Sequence, residues 1–253
     1  MGPRFAGIPI MSEDHRIDFI IIGAQKAGTT ALFDHLSDDP ALSLSKVKEV
    51  HFFDNETLDW GSPDYNLYHS QFDWTGAPIR GEATPIYFYW PGALERIAVY
   101  RRDIKLILLL RDPVERAWSH WRMEHTRGAE TLPFGQAIRR GRQRLFQAEP
   151  WGHHRVFSYV ERGFYAEQLE RLFGIFGPEQ LLILQSDDLS QDPDTVLTKI
   201  NAFIGAPPPP KTTPRQVHVG QDMGQMDEND RAFLTAIYAR DQDRLATLLD
   251  SRL

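Results

Sequence analysis

The chain has 253 residues, 42% of them hydrophobic and 25% charged, which suits one α/β domain able to bury its own core. It has no cysteine, which excludes disulfides, zinc–thiolate sites and a thiolate nucleophile. Its 28 basic residues against 35 acidic ones, a net charge of −7, argue against a general nucleic-acid binder while leaving room for a local anion pocket. No apolar run approaches the roughly 20 residues that cross a bilayer, and residues 1–16 lack the features of a secretion signal, so the expected location is cytoplasmic.

Residues 1–16 read as a flexible N-terminal tail ahead of one domain spanning 17–253. The apolar run Phe19-Ile20-Ile21-Ile22 predicts a strand that stops at Gly23, and Leu32, Phe33 and Leu36 follow at helical spacing until Asp38-Asp39-Pro40. Residues 55–78 are loop-rich but carry Trp60, Tyr65, Tyr68, Phe72 and Trp74, a packed excursion rather than a linker. A short strand is expected over 79–85, a helix over 91–102, and a buried strand over 103–110 whose apolar content suits parallel pairing with both faces covered.

Asp112, Pro113 and Glu115 mark a helix start by cap, first-turn proline and capping-box spacing. Helices are expected over 134–147, 160–176, 192–204 and 227–249, and a further strand over 180–185. The basic run Arg139 to Arg144 reads as a solvated helix face, and 207–224 as a long loop. Strands alternating with helices predict a doubly wound parallel sheet flanked by helices.

The most informative stretch is Gly23-Ala24-Gln25-Lys26-Ala27-Gly28-Thr29-Thr30, between the first strand and the first helix. Backbone N–H groups and the helix dipole make such a turn a cradle for an oxyanion. Gly23, Gly28 and Thr30 fit the nucleotide P-loop G-x-x-x-x-G-K-[ST], but Thr29 stands at the lysine position and the lysine has moved forward to Lys26.

Two further stretches accompany it: Lys48-Glu49-Val50-His51-Phe52-Phe53, and Arg111-Asp112-Pro113 with Arg116, Ser119 and Trp121. In this order and spacing the three pieces resemble the sulfotransferases that use 3′-phosphoadenosine 5′-phosphosulfate (PAPS), the heparan-sulfate-type branch and its bacterial relatives in particular. The resemblance implies a P-loop-like single domain and PAPS as donor, with no metal. It implies that Gln25, Lys26, Ala27, Gly28, Thr29 and Thr30 hold the 5′-phosphosulfate, and that Arg111 and Ser119 hold the 3′-phosphate.

Glu49 matches the family's catalytic glutamate and is the first choice for general base, and its pKa would need raising by burial for it to work well near neutral pH. His51 falls on the same side as Glu49 if the segment is extended, so it can assist, orient the acceptor, or be the base itself. Lys26 is the cation expected at the bridging oxygen of the departing phosphate. Arg116 reads as a structural ion-pair partner.

The acceptor implied is a hydroxyl on a glycan or small molecule, flanked by aromatics such as 87–90 or 151–154; no nucleic acid is implied, and the oligomeric state is open. The family's lysine in Glu-Lys-Ser/Thr-Pro is Ala83 here, which weakens a heparan-like acceptor. Arg215, His218 and Gly220 are weak candidates for a donor-closing loop. The competing classes are a P-loop small-molecule kinase, which predicts lysine at position 29 and a magnesium-binding carboxylate, and a sensor that binds PAPS without turnover.

Overall fold

The structure is a computed structural model that describes residues 15–148, 153–212 and 223–252. In chain order it runs β1 (Phe19–Gly23), α1 (Thr29–Ser37), β2 (Leu42–Leu44), α2 (Tyr65–His69), β3 (Ile79–Ala83), α3 (Ala93–Tyr100), β4 (Lys105–Leu110) and α4 (Pro113–Thr126). It continues with α5 (Phe134–Leu145), α6 (Tyr165–Ile175), β5 (Leu181–Gln185), α7 (Ser186–Gln191), α8 (Pro193–Ile204) and α9 (Glu228–Arg252).

The five strands form one parallel sheet in the order β2-β3-β1-β4-β5, flanked by helices. β1 is buried throughout and β4 at five consecutive positions, as strands covered on both faces must be. From β1 the chain runs to the edge strand β2, returns to lay β3 between β2 and β1, and then crosses to β4 on the other side of β1. The switch between β1 and β4 opens a crevice at their carboxyl ends, the place where ligands sit in such sheets. Close register requires Gly81 opposite Phe19, because a Cβ there would lie 2.2 Å from the Phe19 ring.

A second apolar cluster joins α4, α5 and α9 through Trp121, Phe134, Ile138, Tyr159, Leu234 and Tyr238. It backs α4 against the rest of the molecule and so fixes the helix that borders the crevice. Asp112 caps α4 as expected, accepting from the Glu115 N–H at 2.8 Å.

Several local expectations are corrected. β2, α2 and α7 were not legible: β2 is three residues long, and α2 is a single capped turn inside the aromatic excursion. The helix expected over 160–176 is a 3-10 turn at Glu161–Gly163 followed by α6. The basic run on α5 is not simply a solvated face, since Arg139 pairs with Asp230 at 2.5 Å and Arg144 pairs with the buried Glu130. Arg116 is fully buried and donates to the Tyr159 carbonyl, a backbone anchor in place of the expected ion pair. Among the described residues no helix is long and apolar enough to cross a membrane.

Candidate active site

β1 delivers the chain into a tight loop at the mouth of the crevice. The Ala24 N–H donates to the Leu109 carbonyl at 2.7 Å, which ties the loop to β4. Gly23 has no room for a side chain, as a Cβ would lie 2.8 Å from the Phe88 Cβ. Lys26 and Gly28 take positive φ values of 72° and 93°, and Gly28 forms the N-cap of α1 without any side-chain capping bond. The helix therefore opens with first-turn N–H groups that no capping side chain engages, an arrangement suited to an oxyanion. The Ala27 N–H is different: it donates to the Ala24 carbonyl at 3.0 Å and closes the loop internally. Thr29 is buried at the helix start and Thr30 is exposed beside it.

Lys26 is half-buried, with Nζ 3.6 Å from the Met123 Sδ of α4. Burial lowers its pKa, and the neighbouring charges of Arg127, Lys48 and Arg111 push the same way against the pull of Glu49. Gln25 accepts from Arg162, a buried guanidinium stacked 4.9 Å from the Tyr89 ring. Arg111, just past β4, donates to the Lys26 carbonyl at 3.1 Å, so the loop and the strand end are joined directly. Ser119 lies one turn before Met123 on α4, which brings it to the same side of the crevice as the Lys26 contact.

The third wall is the segment after β2. It is not extended at the key positions, since Glu49 and His51 adopt φ of 63° and 54°. The two side chains nevertheless meet, with His51 Nε2 3.5 Å from Glu49 Oε2. A row of alternating charges results. Lys48 Nζ lies 2.6 Å from Glu49 Oε1, His51 Nδ1 lies 2.9 Å from Asp54 Oδ2, and Arg155 closes the row on Asp54 while stacking 4.4 Å from the Trp90 ring.

This row moves the Glu49 pKa away from the rise that a base near neutral pH would need. Burial pushes the carboxyl up, but hydrogen bonding to His51 and the charge of Lys48 outweigh it and bring the pKa down to about 2. His51 moves the opposite way, raised to about 9 by Asp54 first and Glu49 second, against burial.

A family model described as the sulfotransferase domain matches residues 16–221. The chain belongs to the sulfotransferase family. A human heparan sulfate glucosamine 3-O-sulfotransferase 3B1 is 32% identical over 187 residues, 74% of this chain and 45% of that protein. A mouse bifunctional heparan sulfate N-deacetylase/N-sulfotransferase 4 is 30% identical over 214 residues, 77% of this chain and 23% of that protein. The chain thus spans less than half the length of these curated relatives. A sulfotransferase crystal structure from Alicyclobacillus acidocaldarius superposes with a TM-score of 0.78 at 28% identity, over 93% of this chain and 96% of that one.

Within the chain, the sequence motifs supply Lys26, Glu49, His51 and Arg111, which the fold gathers around one crevice. Sequence reasoning missed Asp54, Arg155, Arg162 and Met123. Asp54 had a signal, three residues after His51; the others come from distant parts of the chain and had none. The aromatic run Tyr87 to Trp90 is buried, with Tyr89 facing His153 at 5.1 Å between ring centroids. Trp151, Gly152, Arg215, His218 and Gly220 lie outside the described residues.

Proposed function

We propose that this sulfotransferase moves a sulfuryl group from PAPS to a hydroxyl of a sugar or small-molecule acceptor. The observation that carries the reading is the placement of Lys26 in the β1–α1 loop, its carbonyl joined to Arg111 at the end of β4 at 3.1 Å and its ammonium 3.6 Å from Met123 Sδ of α4. When bound, the donor supplies an electrophilic sulfur and a phosphate leaving group. The N–H groups of Gly28 to Thr30 and the two threonine hydroxyls suit its 5′ end, with Gln25 and Ala27 shaping the same loop. Arg111 and Ser119 suit the 3′-phosphate, arginine through its two-pronged donor set.

In the proposed reaction the acceptor oxygen bonds to sulfur as the bridging S–O bond breaks. The acceptor proton passes to Glu49, and adenosine 3′,5′-bisphosphate leaves. Lys26 neutralises the charge that develops on the bridging oxygen, an interaction stronger in the transition state than before it. The charge row favours Glu49 over His51 as proton acceptor, because a histidine raised to about 9 is already protonated at neutral pH. A carboxylate of low basicity suffices when the proton leaves late, after S–O bond formation has made the acceptor hydroxyl acidic. The relatives named as heparan sulfate sulfotransferases support a glycan acceptor.

The kinase reading requires a lysine where Thr29 stands and a carboxylate free for magnesium, while Asp112 is engaged as the α4 cap. Calorimetric titration separates the two. Adenosine 3′,5′-bisphosphate should bind in the low-micromolar range or tighter without magnesium, and ATP more weakly. Tighter, magnesium-dependent binding of ATP would overturn the proposal in favour of a kinase.

A further inference from the structure

Beneath the Glu49–His51 segment lies a carboxyl group that the proposed reaction does not use. Glu82 stands one residue from the end of β3 and is fully buried. Three hydroxyls converge on it: Tyr68 at 2.8 Å and Tyr87 at 3.2 Å on Oε1, and Thr84 at 2.5 Å on Oε2. Burial raises its pKa to about 7 against the opposing effect of those hydroxyls.

The Tyr87 hydroxyl has a second set of partners. While its hydrogen goes to Glu82, its oxygen accepts the N–H groups of Phe52 at 3.0 Å and Phe53 at 3.4 Å. These amides directly follow His51. At the other end of the segment, the Glu49 N–H donates to the Ala83 carbonyl at 2.9 Å. The end of β3 therefore grips the segment on both sides of His51, once by its backbone and once through Tyr87. Between the grips lie the positive φ angles of Glu49 and His51, conformations that residues other than glycine rarely adopt and that persist only where the surroundings impose them.

We infer that Glu82 and Tyr87 are positioning residues: through the Tyr87 hydroxyl, the buried Glu82 carboxyl fixes the backbone that aims Glu49 and His51 at the reacting atoms. The inference rests on the proposed roles of Glu49 and His51. A packing role alone would be met by phenylalanine at 87, which fills the same space against the Phe53 ring. That replacement leaves two consecutive buried N–H groups without their acceptor, and unpaired buried donors are what a protein avoids.

The test reads the imidazole titration of His51 by NMR in Tyr87→Phe and Glu82→Gln, together with sulfate transfer from PAPS and calorimetric binding of adenosine 3′,5′-bisphosphate. The charged groups that set His51 are Glu49 and Asp54, with Lys48 and Arg155 behind them, and neither substitution alters any of these. In Tyr87→Phe the His51 midpoint should fall by about one unit or more as its partners lose alignment. Turnover should fall about 10-fold or more, with product affinity kept within about twofold. Glu82→Gln retains a carbonyl oxygen for Tyr87 and should stay nearer the wild type on both readings.

A folded Tyr87→Phe protein with the wild-type His51 midpoint overturns the inference. Should Tyr87→Phe fail to fold, Glu82→Met removes the acceptor of the Tyr87 hydroxyl at similar volume, and an unchanged midpoint there overturns it equally. If the midpoint falls while the wild type transfers no sulfate from PAPS to any acceptor, the Tyr87–His51 link stands and the sulfuryl-transfer reading alone fails.

Discussion

His51 Nδ1 lies 2.9 Å from Asp54 Oδ2, a contact that fixes one ring nitrogen and leaves the other facing Glu49. The pair raises the His51 pKa to about 9, so the folded protein holds that proton where the unfolded chain has lost it. The resulting stabilisation is fully present below about pH 6.5, the ordinary histidine value, and is lost as pH rises towards 9. Urea denaturation of the wild type should show stability declining across that window. Asp54→Asn should flatten the decline and move the His51 NMR midpoint down, and an unchanged midpoint would contradict the assignment.

Glu49 behaves with the opposite sign. Its pKa is held near 2, so its contribution is present above the ordinary glutamate range and lost as pH falls from about 4.5 towards 2. Lys48→Met removes one of the two groups that hold it down and should raise the Glu49 midpoint, measured by carboxyl-carbon NMR.

Arg111 contacts the loop through the Lys26 carbonyl. Replacing it by alanine removes both that bond and the cation proposed for the 3′-phosphate. Charged hydrogen bonds of this kind are worth about 1.5–3 kcal/mol, so affinity for adenosine 3′,5′-bisphosphate should drop by roughly 10- to 100-fold in calorimetry. Ser119→Ala should cost less.

Gly81→Ala tests the sheet register that sets the crevice. The added Cβ falls 2.2 Å from the Phe19 ring in the middle of the sheet, and overpacking of this kind costs roughly 1–3 kcal/mol. The urea midpoint should shift down accordingly with little change in slope.

The parts of the fold that were legible in the sequence are those with local signals. β1 and β4 announce themselves by apolar runs, and α4 by Asp112 and Pro113 at its start. The loop's oxyanion chemistry was legible because Gly23, Gly28 and the displaced Lys26 are close in sequence. β2 was not, because three residues give no alternation to detect, and α2 hides among aromatics whose spacing reflects packing. The base segment was misjudged for a related reason. The shared side of Glu49 and His51 was read on the condition that the segment is extended, whereas both residues take positive φ between bonds to Ala83 and Tyr87 more than 30 residues away. The downward Glu49 shift was not legible either, since the approach of Lys48 and His51 to its carboxylate exists only once the segment is folded back.

The most direct measurement is transfer of labelled sulfate from PAPS to a panel of sugar and small-molecule hydroxyls by the wild type, Lys26→Ala and Glu49→Gln, with adenosine 3′,5′-bisphosphate binding measured alongside. Turnover is expected from the wild type and a loss of about 100-fold or more in each variant, with product binding better preserved in Glu49→Gln than in Lys26→Ala. Retention of most of the turnover by Glu49→Gln would contradict the assignment of Glu49 as the proton acceptor.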